Sequence, residues 1–341
     1  MPRPGTPPIP SVKHMNTALP TTIRAVRLDR YGSPADLEQH EVAMPIPDDH
    51  QVVVRVRAAG INRGDGLAIE GVPYAARLSY GLTRPKRPVP GTDVAGTVVA
   101  VGAGVTAWRP GDPVVGWASG AFAQFAVAAD DALVAPPAGL AFEEAAALPT
   151  AAVTALQALR LGGVEAGRRV LVLGASGGVG TFAVQIAKAL GAEVTGVCST
   201  RNVSLVESLG ADHVIDYTAA DVAALTGYDA VIDLVGTLPL VRARRLAAPG
   251  GTYVVVGGGQ ARSLTGMRRF AGAAMLSPFG RQRLRPLFAT PKREDLAQVL
   301  ELVAAGAVRP SVEAAYDLAD AATAVDFVHR GKARGKVVLV A

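Results

Sequence analysis

Between Arg169 and Asn202 the chain reads RVLVLGASGGVGTFAVQIAKALGAEVTGVCSTRN, and few folds accommodate that order. Val170 to Leu173 is a short apolar run of the kind that forms a strand buried on both faces. It breaks into Gly174-Ala175-Ser176-Gly177-Gly178-Val179-Gly180, then into an amphipathic segment from Thr181 to Leu190 that Gly191 terminates. A second apolar run, Val194 to Cys198, ends at Ser199-Thr200-Arg201-Asn202. Strand, glycine turn, helix, strand is one half of a dinucleotide-binding unit. A diphosphate needs backbone N–H donors at close range and a helix N-terminus aimed at it. Gly177 and Gly178 remove the Cβ atoms that block such an approach, and Gly180 lets the helix lie close to the strand. The spacing is G-x-x-G-x-x-G rather than G-x-G-x-x-G, so the flanking pattern carries the reading. A glycine turn without a ligand is the bland alternative.

The rest of the chain has room for a second domain. Its 341 residues are about twice the usual domain length of ~150, and half of them are apolar, enough for a large core. The net charge of +5 comes from interspersed acids and bases, which leaves no basic block for nucleic acid. Cys198 is the only cysteine, which excludes an intrachain disulfide and a cysteine-based zinc site and fits a reducing, cytoplasmic setting. No uninterrupted apolar run is long enough to cross a bilayer, so no stable membrane insertion is expected. Residues 1–20 are proline-rich and lack an apolar h-region. They read as a flexible extension, neither signal peptide nor anchor, with Met15 as an alternative start.

The first third is built of short strand signals between glycine and proline turns, a β-barrel composition. Ile23 to Val26, Gln51 to Ala59, Val94 to Val101, Val114-Val115 and Phe122 to Val127 are its strands. Near Phe142 the pattern changes. Glu143 to Leu148 and Ala151 to Arg160 read as helices, and from Val170 strands alternate with helices. Val214 to Asp216, Ala230 to Leu234 and Thr252 to Val256 are the further strands of a parallel, doubly wound sheet. Gln260 to Pro291 departs from the alternation. Within it, residues 262–285 mix apolar side chains with six arginines, which suits a substrate-side lid, a subunit contact or a membrane-surface segment. Helix Glu294 to Ala304, strand Val312 to Tyr316, helix Ala321 to His329 and strand Lys336 to Val340 close the chain, the last strand returning to the first domain's sheet.

Seven stretches in this order resemble the medium-chain dehydrogenase/reductase superfamily, in its zinc-free quinone oxidoreductase-like branch, from about Ile23 to the C-terminus. They are Gly91-Thr-Asp-Val-Ala-Gly96, Arg109-Pro-Gly-Asp112, Gly120-Ala-Phe-Ala-Gln-Phe125, Ala145-Ala-Ala-Leu-Pro-Thr150, the glycine turn, Leu209-Gly-Ala-Asp-His-Val-Ile-Asp-Tyr217 and Ala333-Arg-Gly-Lys-Val337. The resemblance implies an α/β protein of two parts. A GroES-like β-barrel catalytic domain takes residues 21–145 and 294–341. A Rossmann domain with a doubly wound parallel sheet takes residues 146–293. It also implies a homodimer through the Rossmann domain, with Thr252 to Val256 as a candidate edge strand.

Zinc-dependent members resembling this chain carry a Cys where Asn62 stands and a His-Glu pair where Thr92-Asp93 stand. Asp93 alone cannot supply the three protein ligands of a catalytic zinc, so no metal is expected. Without that Lewis acid, the branch's chemistry is hydride transfer to quinones or to the C=C of α,β-unsaturated carbonyls. The enolate or hydroquinone oxygen then needs hydrogen bonds and a proton. Asn62 is assigned to substrate or ribose contact, with helix capping as the plain alternative. Asp65 reads as structural. The family's Asn-Pro-x-Asp is Asn62-Arg63-Gly64-Asp65 here, and the tyrosine two residues later in some quinone reductases is Leu67. Tyr74, Tyr80 or water stand in as proton source. A biosynthetic reductase acting on a larger intermediate, and a redox-inactive NADPH-binding protein, are the competing readings.

The residues for the cofactor follow the unit. An NAD-preferring site places an acid about 20 residues past the glycines. Here the count lands on Cys198-Ser199, followed by Thr200 and Arg201, whose hydroxyls and guanidinium suit the 2′-phosphate of NADP(H). By resemblance, Tyr217 flanks the adenine or its phosphate, Arg334 and Lys336 reach cofactor phosphates, and Thr150, Thr154, Val235, Gly257 and Gly258 surround the nicotinamide. Gly174, Ser176, Gly177, Gly178, Val179 and Gly180 hold the diphosphate.

Overall fold

The computed structural model describes residues 19–257 and 268–341. The antiparallel pair β1 (Thr22–Arg27) and β2 (Glu38–Ala43) leads into β3 (Gln51–Ile61), α1 (Arg63–Glu70), the short α2 (Arg77–Tyr80), β4 (Asp93–Val101), β5 (Pro113–Trp117), β6 (Phe125–Ala129), β7 (Leu133–Val134) and α3 (Phe142–Ala146). β3 keeps its alternation at Arg55 and Arg57, which are exposed, but buries its second face at Val53. Val52, Val54 and Val56 enter the barrel core, while Val53 packs outward against Ile23 and Ala25 of β1. The covering β1–β2 pair makes the difference.

The second lobe runs through α4 (Pro149–Gly162), β8 (Arg169–Leu173), α5 (Gly178–Ala189), β9 (Glu193–Cys198), α6 (Val203–Ser208), β10 (His213–Asp216), β11 (Tyr228–Asp233), α7 (Leu240–Ala243), β12 (Ala247–Val255), α8 (Arg268–Leu276), β13 (Arg283–Pro286) and α9 (Arg293–Ala304). Its six strands are all parallel in the order β10-β9-β8-β11-β12-β13. Numbered from β8, that is 3-2-1-4-5-6, the Rossmann order. Its switch point between β8 and β11 opens the ligand crevice at the strands' carboxyl ends. β14 (Val312–Asp317), α10 (Ala321–His329) and β15 (Lys336–Val340) then return to the barrel, where β15 lies between β14 and β3.

Two expectations change. The described part of the 262–285 segment does continue the alternation: α8 and β13 form its last helix and strand. α8 spends its apolar side on the sheet, with Ala273 buried and Phe270 and Leu276 packed against the same cluster as Tyr253 and Leu284. The arginine pair that opens α8 and the arginines flanking Leu284 in β13 hid this period. As a result β12 is internal, and β13, outside it, is the edge. Residues 258–267, with part of that segment, lie outside the described residues. Among the described residues, no helix is long and apolar enough to cross a membrane.

The lobes share one core. Ala58, Ala95, Val115 and Trp117 of the barrel pack in a single cluster with α3, α4, α5 and the central Rossmann strands. Ala145, Ala146 and Ala147 are wholly buried, and a Cβ on Gly60 would land on the Ala146 carbonyl oxygen. Small residues on both sides thus bring the start of α4 down onto the ends of β3 and β4, which assembles the site described next.

Candidate active site

The glycine turn has the shape its sequence asks for. Gly174 adopts φ +86°, a left-handed conformation that disfavours any side chain, and a Cβ there would lie 2.6 Å from Val235 Cγ2. A Cβ on Gly180 would land on the Gly174 carbonyl oxygen and lie 2.8 Å from the Ala175 backbone. Gly177 is the N-cap of α5 in extended conformation, and α5 begins at Gly178 with Val179 in its first turn. The space left by the absent Cβ atoms and the N-terminus of a twelve-residue helix fit a dinucleotide's diphosphate.

Around this turn the chain brings together most of the residues assigned to the cofactor. Ser176 Oγ accepts from Asn202 Nδ2 at 2.9 Å, and that amide also reaches Ser199 Oγ at 3.3 Å. Asn202 is buried, and its Oδ1 has no protein partner. An unsatisfied buried acceptor beside the turn suits a hydroxyl of a bound ligand. Asn202 escaped notice because it follows the more obvious Ser-Thr-Arg run. Arg201 Nη2 donates to the Lys332 carbonyl at 3.1 Å, and Tyr217 is exposed at the same edge. Thr200 needs a correction. Its hydroxyl sits 2.6 Å from Asp216 Oδ2 and 2.8 Å from Thr218 Oγ1, so it is not a free donor for a phosphate. The serine hydroxyl and the Arg201 guanidinium keep the features that suit one.

The far wall is the turn after β11. Asp233 is buried and accepts from the Val235 and Gly236 N–H groups at 3.1 and 2.8 Å, from Tyr253 Oη at 2.8 Å and from Arg269 Nη2 at 2.5 Å. The Gly257 N–H donates to the Asp233 carbonyl at 2.9 Å, and a Cβ on Gly257 would land on the Leu234 carbonyl oxygen. Val235 and Gly257 therefore lie side by side at the end of the sheet. Burial and the neighbouring Asp233 carboxylate raise the Tyr253 phenol above its ordinary range, so Tyr253 stays a neutral donor. Gly258 lies outside the described residues.

The strongest cluster lies where the barrel meets the turn. A parallel bridge joins Gly177 to Gly335, the Gly335 N–H donates to the Ser176 carbonyl at 2.8 Å, and a Cβ on Gly178 would lie 3.1 Å from Lys336 Cδ. The Lys336 ammonium is buried, and it donates to Asn62 Oδ1 at 2.6 Å and to the Ile61 carbonyl at 2.8 Å. The expected phosphate contact is thus replaced: the charge is committed to Asn62, and only the stem faces the turn. Arg334 is held by Glu313, through its N–H and its guanidinium. Asn62 Nδ2 donates to Asp93 Oδ2 at 2.9 Å, and Asp93 also accepts from the Thr150 hydroxyl at 2.5 Å and the Thr150 N–H at 3.1 Å. Trp117 Nε1 donates to Thr150 Oγ1 at 3.2 Å. Thr154 is buried one turn further along α4. Asp93 and Trp117 were missed as members of the site, although Asp93 lies in the Gly91–Gly96 motif. Their roles depend on strand pairing between distant stretches.

The plain reading of Asn62 as a side-chain cap does not hold. Asp65 Oδ2 accepts from the Asn62 N–H at 2.7 Å, so Asp65 performs the reciprocal half of the cap, while the Asn62 amide faces Asp93 and Lys336. Tyr74 and Tyr80 are about half exposed, at 48% and 49%. Arg77 stacks over Tyr31 and Tyr74, and Tyr31 Oη donates to the Gly81 carbonyl at 2.6 Å. Among the described residues no hydrogen bond joins Tyr74 or Tyr80 to the Asn62 cluster.

Burial sets the charge state of this cluster. It pushes the Asp65 carboxyl up to about 7, against the Asn62 N–H and Lys336, and with Asp93 adding to it. Burial lowers Lys336, opposed by Asp93 and Asp65. A carboxyl raised on folding contributes stability that is full below the ordinary carboxylate range and lost as pH climbs through its folded value. Stability should therefore decline between about pH 4 and 7. Asp65→Asn should flatten that slope in urea titrations run across this window. An unchanged slope would place the carboxyl in its ordinary range.

Comparison with known proteins agrees with the two-lobed fold. Residues 48–156 match the alcohol dehydrogenase GroES-like domain, and residues 209–339 match the family described as zinc-binding dehydrogenase. The chloroplast envelope quinone oxidoreductase homolog of Arabidopsis thaliana is 34% identical over 93% of this chain and 98% of that protein. The quinone oxidoreductase of Coxiella burnetii superposes with a TM-score of 0.83 at 30% identity, over 94% of this chain and 99% of that one. The Escherichia coli quinone oxidoreductase complexed with NADPH superposes with a TM-score of 0.80 at 26% identity, over 93% and 100%.

Proposed function

Given a chain that belongs to the medium-chain dehydrogenase/reductase superfamily, in its quinone oxidoreductase-like branch, and that is a nicotinamide-dependent oxidoreductase, we propose an NADPH-dependent, zinc-independent reductase of quinones or of the C=C of α,β-unsaturated carbonyls. One observation carries it: the buried Lys336–Asn62–Asp93–Thr150 cluster includes Asn62 and Asp93, at positions where, by the resemblance above, zinc-dependent members carry Cys and the Glu of His-Glu. An ammonium already balances the carboxylate there, so a divalent cation would meet repulsion and an uncharged amide. Among the described residues, no three His, Cys, Asp or Glu side chains gather as a metal site.

The cofactor supplies the hydride. The protein's part is to hold it and to meet the charge that develops on the acceptor's oxygen. Gly174 to Gly180 and the α5 N-terminus would take the diphosphate, Ser199 and Arg201 the 2′-phosphate, Tyr217 the adenine, and Val235, Gly257 and Thr154 the nicotinamide side. Asn62 is the group placed to contact substrate or ribose. A homodimer through the Rossmann lobe would use β13, the edge strand beside β12.

The test is NADPH oxidation in stopped flow against a mixed panel of quinones and enones, with and without EDTA. Turnover that survives the chelator is expected. Tight NADPH binding without turnover on any acceptor would favour the redox-inactive reading, and loss of turnover with EDTA would overturn zinc independence. For the cofactor, Arg201→Ala is expected to weaken NADPH by about tenfold and leave NADH unchanged in fluorescence titrations, the loss of one charge-assisted bond. Equal losses for both cofactors would remove Arg201 from the 2′-phosphate.

A further inference from the structure

We propose that Lys336 and Asp93 act as a two-sided lock on the Asn62 amide, so that its remaining N–H is presented, already oriented, to the oxygen that gains negative charge as hydride is delivered. This rests on the oxidoreductase reading above and gives that reading a donor for the developing charge, which the half-exposed Tyr74 and Tyr80 do not provide.

The argument is an inventory of donors and acceptors. The two ends of an asparagine amide are nearly identical in shape, and only their neighbours decide which end is oxygen. An ammonium can only donate, and an ionised carboxylate can only accept. Lys336 Nζ, 2.6 Å away, requires the oxygen on its side; Asp93 Oδ2, 2.9 Å away, requires the nitrogen on the other. Turning the amide over would set NH₂ against an ammonium and oxygen against a carboxylate, two repulsive contacts in a buried site.

Each side of the lock is itself fixed. Lys336 is tied to the Ile61 carbonyl, and its stem lies against Gly178 of the glycine turn. Asp93 is held by both donors of Thr150, and the Trp117 indole N–H occupies the Thr150 hydroxyl oxygen, which leaves that hydroxyl's proton for Asp93. Asp65 pins the Asn62 backbone N–H. With Oδ1 and one Nδ2 hydrogen used, the second Nδ2 hydrogen is the one donor of this amide with no acceptor among the described residues. A donor that cannot rotate needs no reorganisation when charge appears, which is where such groups have their effect. Lys336 and Asp93 are positioning residues, and Asn62 is the group that would touch the reacting oxygen.

The chain has three asparagines, Asn16, Asn62 and Asn202, so selective ¹⁵N-asparagine labelling gives a spectrum simple enough to assign with Asn62→Ala. In the wild-type protein without cofactor, the lock predicts that the Asn62 Nδ2 proton facing Asp93 lies well downfield of its position in free asparagine. Lys336→Met and Asp93→Asn should each move that signal back towards the free position. In Lys336→Met, kcat for 1,4-naphthoquinone or 2-cyclohexenone should fall on the order of 100-fold, as when one such donor is lost, with NADPH affinity kept. Lys336→Arg, which restores a donor, should recover part of it. An Asn62 amide at the shifts of free asparagine in the wild-type protein overturns the lock outright, whether or not the variants fold. Wild-type signals and kcat in Lys336→Met would also overturn it. Loss of NADPH affinity with kcat retained would make Lys336 a phosphate anchor instead. Failure of the wild-type protein to reduce any acceptor counts against the oxidoreductase reading, while the amide spectrum still tests the lock.

Discussion

Gly180→Val is expected to abolish NADPH binding and to destabilise the protein by about 1–3 kcal/mol or more. The first atom of any side chain at this position would land on the Gly174 carbonyl oxygen, with the Ala175 backbone only 2.8 Å away. Neither neighbour is the movable end of a side chain. The turn must therefore open, and α5 must lift from β8, which withdraws the helix N-terminus from the diphosphate. A fluorescence titration should show no saturable NADPH binding, and urea unfolding a lower midpoint with unchanged slope. Gly162→Ala, at the end of α4 away from Thr150, is the control, because a Cβ there meets its nearest neighbour, Ala230 Cβ, at an ordinary 3.4 Å. If Gly180→Val bound NADPH normally, the close approach of helix and turn would not be what holds the cofactor.

The second large effect is expected at Arg269. Arg269→Met should cost about 3–5 kcal/mol, because it strands the buried Asp233 carboxylate without its counter-charge. Asp233 also holds the Val235 and Gly236 N–H groups, so the loss should spread to the nicotinamide side and weaken cofactor binding along with stability. Pairing it with Asp233→Asn, which removes the stranded charge, should recover much of the stability. A double-mutant cycle by urea unfolding measures that coupling. Additive losses would show that the pair does not act as a unit. Arg269 belongs to the stretch whose arginines first suggest a lid or a membrane face; one of them is an internal strut of the Rossmann lobe.

That contrast marks what the sequence can reveal here. The glycine turn and the alternation around it announce the Rossmann unit because strand, turn and helix are local and contiguous. Val53 and Gly60 do not announce their second neighbours, because β1 and Ala146 come from elsewhere in the chain. α8 and β13 were hidden for a different reason: exposed arginines and a four-residue edge strand blur the period that reveals buried elements. In the site, Gly174, Gly178 and Gly180 are legible as glycines, since the backbone's needs are written in residue type. Lys336, Asp93 and Thr150 are ordinary residues taken singly. Their meaning arises only when stretches from both lobes converge on Asn62, and residue spacing carries no trace of that convergence.

The placement of β15 bears on how the protein is made. Val337 to Val340 pair with Ala58 to Ile61, so a stave of the barrel is synthesised after the whole nucleotide lobe and inserted between β14 and the much earlier β3. The nucleotide lobe is contiguous and is free to fold while the chain is still emerging from the ribosome. The barrel cannot close until β15 has emerged, and β3 must wait with an open edge. A stalled chain lacking residues 336–341 should therefore resist limited proteolysis across β8–β13 and be cut readily in β3–β7. Equal protection of both regions would show that the barrel closes without its last stave.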